Sequence, residues 1–411
     1  MRKYYLIVAL INPFLAFLVS LSKKAPANMK WTMAILFCVF FGLNFTPASK
    51  GLDSYKHYEK FLAYHENGAV MLVQHWEGLK AGSTDPELYI PVTYYLLSRL
   101  TDSIAVFFGF HALFYAFFFV GSIRLLYNMV GKGPSGIALV TLLFVVFLFP
   151  IHQINAVRWF TAMWVFVYFF LKYVKGEKKC LYFTFLAGLV HFSLYVPALF
   201  LFLSTFIGYR PYLLIVTLGM SFLVPRISSS YLVENKQVIG IQSIENRTID
   251  YTNEDYVELR QNHLQTLNWY VTLRYTLVHY FLVFLALLFL YKNRSRLKKL
   301  NDPVFKRMLT FILLWAILVN LTFEIPSFGG RMRFLLWVLM ASFLYYTSDW
   351  ILIRRKRLVN LVGYSIIILY ALVDFRAYSF NISANWLIGN PLFLALGLNE
   401  FNLNELVFFW E

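Results

Sequence analysis

Charge is what this chain lacks. Only 14% of its 411 residues are Asp, Glu, Lys or Arg, against 59% hydrophobic and 20% aromatic, and the mean hydropathy is +0.60. A soluble protein of this length carries far more surface charge, which excludes the soluble-enzyme and disordered classes. Cysteine is nearly absent too. Cys38 falls inside an apolar run and Cys180 near the start of another, so a disulfide scaffold or a Cys-rich metal site is not available. Several catalytic signatures are missing: a Gly-rich phosphate loop, His-Glu-x-x-His, Gly-x-Ser-x-Gly, and the Asp-x-Asp of metal-dependent nucleotide-sugar transferases. His57, His65 and His75 stand eight and ten apart, a poor spacing for ligands of one ion, so no metal or cofactor is expected. No period of 20–50 residues repeats, and there is no low-complexity tract.

What the chain has is apolar windows of 15–24 residues with almost no charge, the mark of a polytopic all-α membrane protein. Twelve spans are expected, at 4–21, 31–47, 104–127, 136–152, 156–174, 177–190, 192–206, 211–226, 269–291, 305–323, 334–350 and 358–376, forming one helical domain over 1–411. Two longer polar segments, 48–103 and 227–268, interrupt them. Met1-Arg-Lys before apolar Tyr4–Ser20 looks like a secretory signal, but no small-residue cleavage site follows, and the run reads as a retained first span.

Orientation follows from Lys and Arg. Three short connections are strongly basic: Lys172, Lys175, Lys178 and Lys179; Lys292, Arg294, Arg296, Lys298, Lys299, Lys306 and Arg307; and Arg354, Arg355, Lys356 and Arg357. The positive-inside rule makes all three cytoplasmic. Both of the first two can be inside only if 177–206 crosses twice, which places a turn at His191 on the outer face. Cytoplasmic segments then hold 21 of the 37 basic residues and only three acids, Glu177, Asp302 and Asp349. The net charge of +16 is accounted for by topology, so nucleic acid is not a partner. Both termini, the segments 48–103 and 227–268, and the C-terminal segment 377–411 come out external. Within 48–103, Tyr55, Tyr58, Phe61, Leu62 and Tyr64 give a helical aromatic stripe, and Leu88–Leu100 reads as an interfacial helix.

This topology gathers Asp53, Glu87, Asn155, Arg158, His191, Arg274, Arg331, Arg333 and Arg376 at the outer boundary, from different parts of the chain. Ionisable groups at that depth are costly and tend to be functional. Asn155 and Arg158 are three apart where a span opens, and an Arg at the positive end of a helix dipole gains from an anion there. Gly329-Gly330-Arg331-Met-Arg333 combines free amide groups with two guanidiniums, a phosphate-type site. Arg274 shares a helix face with Tyr270 and Val278. Asp53, Glu87 and His191 are candidate bases for a hydroxyl nucleophile. Each has a plain structural alternative: a snorkelling Arg, a helix-capping carboxylate, a hydrogen-bonded core His.

In order along the chain, Asp53-Ser-Tyr55, Glu87-Leu-Tyr89, Tyr95-Leu-Leu97, Asn155-Ala-Val-Arg158-Trp159, Val190-His191-Phe-Ser193, Tyr195-Val-Pro197 and the Arg331/Arg333 pair resemble the EpsG-like polysaccharide polymerases, relatives of the Wzy O-antigen polymerases, over roughly 40–380. The chain departs at Trp159, where the family usually has Gln. The resemblance implies a GT-C-like membrane glycosyltransferase at the external face of the bacterial cytoplasmic membrane. Such an enzyme joins polyprenyl-pyrophosphate-linked (undecaprenyl-type) repeat units into exopolysaccharide, capsule or O-antigen. It needs lipid-linked donor and acceptor and the bilayer, with a chain-length regulator and a flippase as partner proteins, and no metal. On this reading Asp53, Glu87 and His191 are the catalytic candidates. Arg158, Arg274, Arg331 and Arg333 hold pyrophosphate, and Tyr55 and Asn155 position substrate. The alternatives are a polysaccharide ligase and a lipid-linked glycan flippase or transporter. One-sided charge and the lack of repeats weigh against a transporter.

Overall fold

The computed structural model describes residues 2–22, 24–47, 52–84, 86–131, 133–227, 266–297, 300–325, 327–351, 356–391 and 403–404. Most of the expected loop 227–268 and of the C-terminal segment lies outside them, as do Lys298, Lys299, Arg354 and Arg355 of the basic connections. The described chain is almost wholly helical; its extended pairing is one isolated bridge, Phe45 to Ile382. In order the helices are α1 Arg2–Ile11, α2 Pro13–Ser20, α3 Ala27–Leu43, α4 Asp53–Lys80, α5 Tyr89–Ser98, α6 Ile104–Val130, α7 Ile137–Leu148, α8 Trp159–Val174, α9 Cys180–Phe183, α10 Leu186–Val190, α11 Tyr195–Ile207, α12 Pro211–Ser221, α13 Trp269–Asn293, α14 Pro303–Leu321, α15 Phe328–Tyr346, α16 Lys356–Ser379 and α17 Asn385–Ile388. Short 3-10 segments lie at Ile151–Ala156 and Phe192–Leu194.

Five stretches are long and apolar enough to cross a bilayer: Ile104–Val130, Ile137–Ala156, Trp269–Asn293, Pro303–Leu321 and Lys356–Asn381. Shorter apolar helices fill in between, while α4, α5 and α15, the helix of the expected span 334–350, belong to neither group. This is the pattern of a polytopic membrane protein. Helix α13 shows the physics. Val278, Phe281, Leu282, Leu285 and Phe289 are buried, while Tyr280, Phe284, Leu287 and Tyr291 are exposed at helical spacing on the other side. A helix apolar all round needs an apolar solvent on its outer face.

Close approach replaces the hydrophobic effect as the reason the helices associate. α3 packs along α6, and a Cβ on Gly42 would lie 2.3 Å from Ala112 Cβ and 2.5 Å from Phe108 O. α6 then packs on α8, α7 on α15 and α16, and α14 on α12 and α15, so that one buried cluster runs through the bundle.

Two expected spans are discontinuous, and a third has a shifted start. The first breaks at Asn12-Pro13: Asn12 Oδ1 accepts from Leu15 N at 2.7 Å, and proline has no amide hydrogen to continue α1. The fifth begins only at Trp159, after a 3-10 segment and a reversal at Val157. The sixth is two short pieces, α9 and α10, ending where His191 turns extended. α9 packs on α11, so the chain does fold back at His191. That turn is not an exposed tip, however: His191 is 4% exposed.

Accessibility therefore has to be probed beside the turn. With Cys38 and Cys180, both buried, replaced by alanine, Ala81→Cys should react with an impermeant thiol reagent in intact cells. Lys178→Cys should react only after the cytoplasmic face is opened, and the reverse pattern would defeat the assigned orientation. Gly42→Leu should cost more than about 1–3 kcal/mol through overpacking. Gly133→Ala, where a Cβ meets open space, should leave the midpoint of thermal unfolding in detergent unchanged.

Candidate functional site

Three of the sequence motifs meet at one end of the bundle. Glu87, 4% exposed, lies in the turn between α4 and α5. Its Oε2 accepts from Arg158 Nη1 at 2.5 Å, and its Oε1 accepts from Phe192 N at 3.1 Å. The next residue, Leu88, donates its N–H to Leu189 O at 2.8 Å. The α4–α5 turn is thus stitched both to the start of α8 and to the break after α10. His191 Nδ1 accepts from Ser193 N at 3.4 Å and faces Ser193 Oγ at 3.0 Å. His191 thus closes its own turn through Nδ1. Its approach to Glu87 Oε1, 3.8 Å, is contact without a hydrogen bond.

Arg158 owes its position to a deliberate helix break. Pro150 follows α7, and the carbonyls that α7 leaves unsatisfied are met by side chains. Tyr370 OH donates to Leu148 O at 2.8 Å, and Tyr115 OH is 2.7 Å from Phe149 O. Trp164 Nε1 donates to Tyr115 OH at 2.8 Å. Irregular backbone at membrane depth requires partners of this kind. The chain then passes through Val157 at φ 37° and restarts as α8 with Arg158 as its first flanking residue. A β-branched residue at positive φ is strained. Among the described residues the one other non-glycine at positive φ is Ser327, φ 60°, immediately before α15 and its arginines.

That second entry lies alongside the first. Phe334 of α15 is 6.4 Å, ring to ring, from both Trp159 and Phe160 of α8. Gly329 brings the backbone so near that a Cβ would sit 2.5 Å from Phe323 O. Arg333 is held between Phe323 and Trp337, 5.0 and 5.3 Å from their rings, and its Nε has no hydrogen-bond partner among the described residues. Arg331 is half-buried, and Glu324 pairs with Arg226 at 3.3 Å rather than with either arginine.

The remaining candidates are placed differently. Arg274 is not available to an anion: it forms a buried ion pair with Asp374 of α16, and its guanidinium stacks on Tyr275 and Tyr370 at 4.7 and 5.1 Å. His152 Nε2 meets the other Asp374 oxygen at 3.0 Å, which anchors the 3-10 segment leading to Arg158. Asp374 was legible as the one acid inside the last long apolar run, yet its partner lies 100 residues away. Asp53 begins α4, exposed, with no side-chain bond to another described residue, and Tyr55 is half-buried beside it. Asn155 Oδ1 is buried without a partner among the described residues. Arg376 lies in the last turn of α16. Among the described residues no three His, Cys, Asp or Glu are placed to share a metal ion.

Chemically, two helix starts bearing arginines, side by side and both entered through strained backbone, put a cationic mouth at this end of the bundle. Arg158 keeps 28% of its side chain open while Glu87 backs it from inside. The EpsG family matches this sequence over residues 29–387. The chain belongs to the EpsG family. No curated protein and no solved structure matches it.

Every candidate site residue from Asp53 to Arg376 falls inside the stretch matched to the EpsG family, whereas α1 and α2 precede it. The family match and the buried pair together give a stability prediction. Glu87→Ala leaves Arg158 facing an uncompensated, largely dry site and should cost about 3 kcal/mol of stability. Arg158→Lys keeps the charge without the fork and should recover only part of it. Equal unfolding midpoints for Glu87→Ala and the unaltered protein would show that the pair does not hold the break.

Proposed function

We propose that this EpsG-family chain is a glycosyltransferase that polymerises polyprenyl-pyrophosphate-linked oligosaccharide repeat units into an extracellular polysaccharide. The proposal includes twelve spans, a GT-C-like layout, and a site on the external side of the bacterial cytoplasmic membrane. What carries it is the pairing of strained helix starts, Val157–Arg158 and Ser327–Arg331, at one end of an apolar bundle. A reaction whose leaving group is a membrane-anchored pyrophosphate needs fixed cations and helix N-termini at the bilayer boundary, where charge develops as the anomeric bond breaks. Arg158, Arg331 and Arg333 hold the pyrophosphate in this scheme. Glu87 and His191 hold Arg158 and the adjoining turn, and the Arg274–Asp374–His152 group holds the 3-10 segment in front of them. Tyr55 and Asn155 line the approach to the mouth.

A strain lacking the protein should accumulate a single lipid-linked repeat unit. Long chains left unattached to a final acceptor would instead identify a ligase, and unit trapped on the cytoplasmic side a flippase. Arg158→Ala, at normal protein level, should lower polymer formation about 100-fold, the usual loss for one oxyanion contact.

A further inference from the structure

The mouth as described supplies cations for a leaving group but no group to take the proton of the attacking hydroxyl. Glu87 has both oxygens engaged, and His191 accepts at Nδ1. One more titratable group stands here. His57 lies one turn beyond Asp53 on α4, half-buried, with Nδ1 2.8 Å from the hydroxyl of Tyr94, itself wholly buried on α5. Tyr94 also packs edge-on against His57 and on His111 of α6, whose Nδ1 is bound by Tyr89 OH at 2.6 Å. Arg158 lies near enough for its charge to act on both His57 and Tyr94. One ring nitrogen of His57 is therefore oriented by a buried partner, and the half-buried ring lies within reach of the Arg158 charge.

We propose that His57 is the proton acceptor for the sugar hydroxyl that attacks the lipid-linked donor, and that Tyr94 is its positioning residue. This rests on the glycosyltransferase reading above. In the step, the acceptor oxygen forms a bond to the anomeric carbon of the donor chain. The bond from that carbon to the pyrophosphate oxygen breaks, and the electron pair leaves with the polyprenyl pyrophosphate at Arg158. The hydroxyl proton passes to His57 Nε2 and is later released to water. This requires the tautomer with hydrogen on Nδ1, donated to Tyr94 Oη. A nucleophile's base oriented by a third group is the general arrangement for such chemistry.

The charged and titratable groups around His57 are Asp53 and Lys60 on its own helix, Arg158 from the start of α8, His111 from α6 and Tyr94 from α5. Burial, and then the positive Arg158, hold the His57 pKa well below the ordinary histidine value. The imidazole is thus neutral, and able to accept, throughout the neutral range. A weak base suffices because pyrophosphate is a good leaving group and the proton moves late.

Asparagine copies the Nδ1 hydrogen bond of histidine and lacks Nε2. Purified His57→Asn, assayed with lipid-linked repeat units, should keep its unfolding midpoint and KM. Its kcat should fall at least about 100-fold, the lower range for a lost general base. The acid limb of the wild-type kcat profile, displaced well below the ordinary histidine range, should vanish from the residual activity. Tyr94→Phe should lower kcat less and move that limb. If the unaltered protein forms no polymer, the glycosyltransferase reading fails. If it does and His57→Asn keeps kcat, or only KM rises, the His57 assignment is overturned. Loss of kcat in Asp53→Asn beside normal kcat in His57→Asn would overturn it too, and would give the proton to the carboxylate.

Discussion

Everything at the functional end of this molecule hangs on one ion pair withdrawn from water, Glu87 with Arg158. The carboxylate reaches in from the α4–α5 turn, 71 residues before the guanidinium it binds, and spends its second oxygen on the backbone beyond α10. A buried pair of this kind is weak as a source of net stability but strict about geometry, because losing either partner strands the other. It therefore acts as a register pin. The polar cap, the start of α8 and the fold-back at His191 have one relative placement in which both charges are satisfied.

The price of putting an arginine there is an interrupted span. Between Leu148 and Trp159 the chain gives up its helical hydrogen bonds inside an apolar surround. Tyr370 and Tyr115 cover the carbonyls of Leu148 and Phe149, Trp164 backs Tyr115, and the His152–Asp374–Arg274 group anchors the segment from the side. The aromatic richness of the sequence has a specific use in this region. Tyrosines reach a carbonyl with the hydroxyl while the ring stays in the apolar interior. The same region tolerates Val157 in a backbone conformation it would not choose, since its neighbours on both sides are held.

Much of this was legible beforehand, and the reasons for the rest are physical. Hydropathy located the long apolar helices because a window average is what a bilayer senses. It passed over the Asn12-Pro13 stop and the reversal at Val157, which are single-residue events inside uniformly apolar runs. The charge count located the fold-back at His191, because basic loops cannot alternate sides without it. It said nothing of burial, so His191 reads as an outer tip when it is packed inside. Glu87, Arg158 and His191 were each singled out from local context, and their meeting is tertiary. Arg274 looked like an anion ligand because its partner, Asp374, lies on a helix 100 residues away. His57 was passed over because its spacing from His65 and His75 was weighed for a metal, whereas its actual partner is a tyrosine on the next helix.

The shortness of α9 and α10 has a bearing on how a lipid reaches this site. Cys180–Val190 rises only about 16 Å as helix, roughly half of a ~30 Å hydrocarbon core. Its outward residues, Tyr182, Phe183 and Leu186, are apolar and exposed. Were this segment to span, acyl chains against this wall would have to shorten, and the leaflet would dip beside the very segment that carries His191. Under the proposed function, a long isoprenoid anchored in that depression would present its head group at the level of the buried cluster without being lifted out of the bilayer.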